Sequence, residues 1–284
     1  MSTKKITMIE KAKRRLFHSL PCMRPGTTLR RHGKYGFIGD YKSWSEAQRD
    51  SSGYDSEIIL EKTTEASLKV RNGEAPYERD SAIFGVIQYS WPLLAGLMWI
   101  AALSEGKLNV LDFGGALGTS YYQNRVFLKE VPFVRWNIVE QPHYVERGRT
   151  LFQNDALRFY SSIGECLHDT SPQVIVMSGV LQYVKDPYGL LGEVFEHELP
   201  FTIIDRTPFQ NQPVDRLCVQ RVSPEIFEAS YPAWIFSLNR FRDALSPNRI
   251  IAEFDSFENG ALYGADFKGF IIGNRKASHG ESFR

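Results

Sequence analysis

In the stretch VLDFGGALGTS, Val110 to Ser120, an acid stands at the end of an apolar run and three glycines follow within five positions. Asp112 offers a carboxylate, while Gly114, Gly115 and Gly118 strip side chains from the turn, so that backbone can approach a ligand without Cβ clashes. Further on, the run RWNIVE ends in Glu140, twenty-two residues past Gly118. An acid at that separation from a glycine loop is placed to accept hydrogen bonds from both hydroxyls of a ribose. Either feature alone is ambiguous, since a glycine turn is equally a tight turn with no ligand. Together they point to a nucleoside-containing cofactor. The dinucleotide spacing GxGxxG, aligned on Gly115 and Gly118, needs glycine where Phe113 stands, and no Walker lysine follows. The spacing Asp-x-Gly-x-Gly-x-Gly fits Asp112, Gly114 and Gly118, with Ala116 in the middle place.

These residues need a scaffold, and its pattern is legible. From residue 107 onward short β-branched runs recur between helix-length pieces: LNVLDF, RWNIVE, LRFYS, QVIVMS and FTIIDR, then RIIAEF and FKGFIIG. That alternation predicts an α/β fold, a mostly parallel twisted sheet with helices on both faces. The last two runs are joined through Asn259-Gly260 and Tyr263-Gly264, without room for a helix, and read as an antiparallel hairpin. The strand Leu108 to Phe113 would deliver Asp112 to the carboxyl edge of the sheet, where such folds bind ligands, and Thr119 would cap the helix that follows. Before residue 107 lie turn-rich segments, an amphipathic run from Ile58 to Val70 and the apolar stretch WPLLAGLMWIAALSEG, expected to be a buried helix because about a dozen residues fall short of the ~20 a bilayer needs. The expected organisation is a mainly helical or lid region over 1–106, a cofactor domain over 107–276 and a flexible tail over 277–284.

With 284 residues, 43% of them hydrophobic, the chain can fill a sizeable core. Thirty-four basic against thirty-three acidic side chains give a net charge of +1, so no nucleic-acid partner is expected. Cys22, Cys166 and Cys218 form neither a disulfide framework nor a CxxC site; no metal is expected, and the expected compartment is the cytoplasm. The N-terminus lacks the apolar core of a secretory signal. Ile6, Ile9, Leu16 and Leu20 follow helical spacing among lysines and arginines, which reads as a solvated basic helix or as a peripheral membrane contact.

On the Asp112 loop, Glu140 and the terminal hairpin, the chain from about Lys107 to Asn274 resembles the class I S-adenosylmethionine-dependent methyltransferases, with their Rossmann-like methyltransferase fold. The resemblance implies S-adenosyl-L-methionine as cofactor. Gly114, Gly115 and Ala116 would pass beneath its methionine part, with Gly118 closing the loop. Asp112 would hold its ammonium, Glu140 its ribose, and Gln141 would sit beside the adenosine. Ser161, Ser162 and Ile163 would stand where the third strand meets the adenine, although an acid is the usual residue there, and Ser178, Gly179 and Val180 would line the cofactor. The segments SGVLQYVKDPYGLL, VEQP and SEIILEKT…YERDSAIF…YSWPLLAGL, together covering most of the chain from about Phe37, are similar to a methyltransferase-like family associated with surface-polysaccharide biosynthesis. An O-methyltransferase acting on a sugar or glycan intermediate is the expectation. The alternatives are a methyltransferase for another small molecule or for RNA, and a cofactor-binding or partner-binding module without catalysis.

A hydroxyl acceptor needs a general base. Asp205 after FTII, Tyr183 after VIVMSGVLQ and His143 beyond Glu140 are the candidates. Arg206 could bind substrate or form a structural ion pair with Asp205. Arg79, in the polar cluster YERD, could hold an anionic acceptor if the N-terminal part covers the site, and Tyr54 could offer a sugar a stacking face.

Overall fold

The computed structural model describes residues 35–52, 56–222, 229–258 and 264–275. In chain order the elements are β1 (Gly36–Ile38), α1 (Trp44–Arg49), α2 (Ser56–Arg71), β2 (Tyr77–Arg79), β3 (Ala82–Phe84), α3 (Trp91–Leu103), β4 (Lys107–Phe113) and α4 (Thr119–Leu128). They continue with β5 (Phe133–Val139), α5 (Pro142–Leu151), β6 (Leu157–Tyr160), α6 (Ile163–Asp169), β7 (Val174–Ser178) and α7 (Pro187–Glu196). The last are β8 (Phe201–Gln210), β9 (Arg216–Arg221), β10 (Ser230–Ser237), α8 (Leu238–Leu245), β11 (Arg249–Asp255) and β12 (Asp266–Gly273).

One large sheet runs β1-β9-β10-β8-β7-β4-β5-β6. Strands β6, β5, β4, β7 and β8 pair in parallel, and β12 runs antiparallel along the other edge of β8 with β11 outside it. The expected hairpin is therefore present. The β-branched runs form these strands because alternate residues enter different cores. Leu108, Val110, Val174, Val176 and Ile203 pack on one face with residues of α2, α3, α4 and α5, whereas Leu111, Ile175, Met177 and Ile204 pack on the other with residues of α6, α7 and α8. Both faces are buried, as a parallel sheet requires.

Two features depart from the expected pattern. Helix α3 is buried on one side only: Leu97 and Ile100 are inaccessible, but Trp91 is 59% exposed and Trp99 38%. Strand β8 does not stop at Arg206. It continues through Pro208 to Gln210, and there β10 joins it in parallel, carrying antiparallel β9 and the edge strand β1. The sheet thus extends past the carboxyl ends of its parallel strands. Before residue 107 the described chain adds, besides helices, the small hairpin β2–β3, whose tip Asp80-Ser81 has both φ values positive (52° and 67°), as a tight two-residue turn demands.

Candidate active site

Strand β4 brings Asp112 to its carboxyl end with only 1% exposure. The Trp136 indole N–H of β5 donates to Asp112 Oδ2 at 2.8 Å. Burial nevertheless pushes the Asp112 carboxyl up to about 7; the indole N–H opposes that rise and the nearby Glu140 charge adds to it. The chain then turns through positive φ at Gly114 (72°), Ala116 (50°) and Gly118 (104°). A Cβ on Gly114 would lie 2.5 Å from Val180 Cγ2, and one on Gly115 would lie 2.6 Å from Asp112 Cγ. The loop is closed down on the carboxylate on one side and on the β7 loop on the other, so glycine is required at both places.

Glu140 leaves β5 alongside this loop. Its Oε1 accepts the Ala116 N–H at 3.3 Å and its Oε2 accepts the Gln141 N–H at 2.8 Å. Each oxygen keeps a further lone pair, so two acceptors stand side by side at a strand end, the arrangement a vicinal diol requires. Burial raises the Glu140 pKa, against the pull of the Gln141 and Ala116 amides. Thr119, expected to cap α4, is instead its first residue. Gly118 holds the cap position, and the Thr119 hydroxyl donates to Glu78 Oε1 on the β2–β3 hairpin.

The far side of the cleft is made by β7, β8 and that hairpin. Two residues of β8, Asp205 and Arg206, stand opposite the single Gly269 of β12, a bulge, and Arg206 there adopts φ 53°. Such a conformation costs a non-glycine residue about 1–3 kcal/mol and re-aims its side chain. The Arg206 guanidinium carbon lies 3.2 Å from where a Cβ of Gly179 would sit. Its Nε donates to Glu258 Oε1 at 2.7 Å and its Nη2 to Asp80 Oδ2 at 3.0 Å. Burial works against the guanidinium charge, but Glu258 and Asp80 outweigh it and hold the pKa above its ordinary value. Arg79 joins from β2, its guanidinium between the rings of Phe84 (5.1 Å) and Phe257 (5.0 Å).

Asp205 itself is wholly buried, and its Oδ1 accepts the Ser256 hydroxyl at 2.5 Å and the Arg206 N–H at 2.8 Å. Burial raises its pKa; the Ser256 and Ser90 hydroxyls and Arg206 pull the other way. The Tyr183 hydroxyl donates to Gln220 Oε1 of β9 at 2.6 Å, its ring stands edge-on to Tyr231, and burial raises its pKa. His143 lies in the first turn of α5, with Nε2 buried and lacking a hydrogen-bond partner. Ser162 caps α6 by accepting the Glu165 N–H, Glu165 in turn accepts the Ser161 N–H, and the Ile163 side chain is buried. Ser178 ends β7, with Gly179 (φ 69°) and Val180 beyond it.

The loop residues, Glu140, Gly179 and Arg206 are therefore gathered at one sheet edge, with Arg79 above them on the hairpin. Tyr54, the basic N-terminal segment and the 277–284 tail lie outside the described residues. Reading the sequence missed Trp136, Ser256 and Glu258, and took Glu78 and Asp80 only as members of the polar cluster YERD. Trp136 was recoverable, because an indole two residues into RWNIVE shares a face with the cofactor strand; the others carry no local signal.

A sheet of five parallel strands closed by an antiparallel hairpin, with helices on both faces and a glycine turn after its first parallel strand, is the Rossmann-like methyltransferase fold. No protein-family model and no curated protein matches the chain. Among solved structures the chain is similar to the N-terminal domain of EvdMO1 with S-adenosylhomocysteine bound, at 12% identity over 78% of this chain and 97% of that one, TM-score 0.43. It is also similar to the magnesium protoporphyrin IX methyltransferase of Synechocystis, at 10% identity, 78% and 99% coverage and TM-score 0.45. A third is the 1,6-didemethyltoxoflavin-N1-methyltransferase of Burkholderia thailandensis, at 12% identity, 78% and 91% coverage and TM-score 0.38.

Proposed function

We propose that the chain is an S-adenosylmethionine-dependent methyltransferase that methylates a hydroxyl of a sugar or glycan-biosynthesis intermediate. The observation that carries the cofactor is the pair Asp112 and Glu140 on either side of the glycine loop: a buried carboxylate suited to an ammonium, and a strand-end carboxylate with two acceptors free for a ribose. The cofactor, when bound, supplies a methyl group activated on a sulfonium. This chain's residues hold and orient it: backbone at Gly114 and Gly115 passes close by, and Gly179 and Val180 close the opposite wall. What remains is to align the acceptor and exclude water, positioning of a kind worth up to about 7–11 kcal/mol.

A hydroxyl acceptor must also lose its proton. Asp205 is the assigned base, because its Oδ2 is buried level with the end of β7 at Ser178 and is engaged by neither the Ser256 hydroxyl nor the Arg206 amide, both of which bind Oδ1, and because a raised carboxyl pKa suits a group that must take up a proton. Tyr183 and His143 are the reserve candidates. The test has two stages. Calorimetric titration with S-adenosylhomocysteine should show binding by wild type and a loss in Glu140→Ala of about 1.5–3 kcal/mol for each charge-assisted bond removed; no binding by the folded protein would dispose of the reading. Release of S-adenosylhomocysteine is then followed with neutral and acidic sugars as acceptors. Asp205→Asn should lower turnover by about 10²–10⁴ with cofactor affinity kept. Near-normal turnover would return Asp205 to the role of anchoring Ser256 and Arg206.

A further inference from the structure

Four charged groups meet around Arg206, which lies against Gly179, and they are unequal. Arg206, Arg79 and Glu258 have side chains 16–17% exposed, whereas Asp80 is 66% exposed. Arg79 is held by its faces rather than its edges: Phe84 and Phe257 flank it, its nearest carboxylate oxygens are 3.8 Å (Asp80) and 3.9 Å (Glu258) away, and Nη1 is buried with no hydrogen-bond partner. Two guanidinium groups are thus balanced by one sheltered carboxylate and one that faces water from a hairpin tip. We infer that the Arg206–Arg79 pair is a subsite for an oxyanion of the acceptor, carboxylate or phosphate, and that Asp80 occupies it until the acceptor displaces it.

Three observations converge on this. The bulge at Asp205-Arg206 puts a strained, largely sheltered arginine against Gly179, where a Cβ at 179 would press on the guanidinium at 3.2 Å. Without Asp80 the cluster has one positive charge in excess, which a single acidic group neutralises. Only Asp80 faces water, so it is the carboxylate more easily displaced, and an oxyanion meeting two guanidinium groups gains the stronger, charge-assisted kind of hydrogen bond. The acceptor is then an acidic one, a uronate-type carboxylate or a phosphate ester, with its hydroxyl presented to the neighbouring cofactor edge. This rests on the methyltransferase reading for what the subsite serves, not for its existence.

The experiment titrates sodium phosphate and sodium acetate, at constant ionic strength, into wild type, Asp80→Asn, Arg206→Gln and Arg79→Gln, with and without S-adenosylhomocysteine. At least one anion should bind wild type, and Asp80→Asn should bind it about threefold to fivefold more tightly, the worth of a surface ion pair. Arg206→Gln should abolish binding; if that variant does not fold, Arg79→Gln must weaken it at least several-fold. Preference for phosphate or for acetate identifies the acid. Absence of anion binding in Asp80→Asn, or weaker binding there than in wild type, would overturn the subsite. Because the titrations are also run on the free protein, they remain decisive even if S-adenosylhomocysteine fails to bind, a result that would count against the methyltransferase reading alone.

Discussion

Asp112 is a buried carboxylate and Glu140 a partly buried one in the same cleft, and they are prepared differently. Glu140 accepts two main-chain N–H groups, whereas Asp112 accepts one indole N–H and is held at about 7 by its desolvation. A cation arriving beside Asp112 favours the ionised form and lowers that pKa. Below pH 7 the carboxyl of the free protein is mostly protonated, so a cationic ligand must expel a proton to bind; above pH 7 it need not. Affinity for S-adenosylhomocysteine should therefore rise with pH, by up to about tenfold per unit below pH 7, and level off above it. Calorimetry from pH 5.5 to 8.5 measures this, and Asp112→Asn should bind weakly with a flat profile; an unchanged slope in the variant would assign the proton to another group. Both acids were legible in the sequence because each sits at a fixed place relative to a strand end, which the chain itself dictates. The charge cluster at Arg206 was not, because Arg79, Asp80, Arg206 and Glu258 come from three separate segments and meet only through the fold.

At the scale of elements, the β2–β3 hairpin joins the two halves of the cleft. Glu78 reaches the start of α4 through Thr119, while Arg79 and Asp80 reach Arg206 and Glu258. Three-residue strands give no periodicity to read, so the sequence YERD looks like a polar turn. Strands β9 and β10 escaped for a related reason: they pair mainly with each other, and Pro232 interrupts the second. The long β-branched strands, by contrast, announce themselves because both their faces are buried. Glu78 offers a test of the hairpin's docking. Burial pushes its carboxyl up to about 7, opposed by the Thr119 hydroxyl. The folded state thus prefers the neutral acid; that stabilisation is complete below its ordinary value near 4.5 and is lost as pH rises through 7. Glu78→Gln keeps the hydrogen bond and removes the titration. Its melting temperature should fall less than that of wild type between pH 5 and pH 8; parallel curves would show that the hairpin does not bury Glu78 in solution.

For the whole molecule, the sheet is one continuous hydrogen-bonded surface, yet its parts differ in how far the chain must travel to build them. The parallel strands β4 to β8 follow one another in sequence, whereas β1 pairs with β9 across most of the described chain, Gly36 against Arg221 and Ile38 against Val219. Closing so large a loop for a three-residue strand returns few contacts for the entropy spent. Amide hydrogen exchange should rank the strands accordingly, with Phe37 and Ile38 exchanging fastest and Val110, Leu111, Val176 and Met177 slowest; equal protection throughout would show a single cooperative unit. No described helix is long and apolar enough to cross a membrane. The far wall of the cleft, where Tyr183 meets Gln220 and Tyr231, depends on β9 and β10, which follow β8 in the chain. A ribosome-bound chain that has emerged only as far as β8 already carries Asp112, Glu140, Arg79 and Arg206 but not Glu258, so the carboxylates beside the glycine loop can be in place before Arg206 has its sheltered partner.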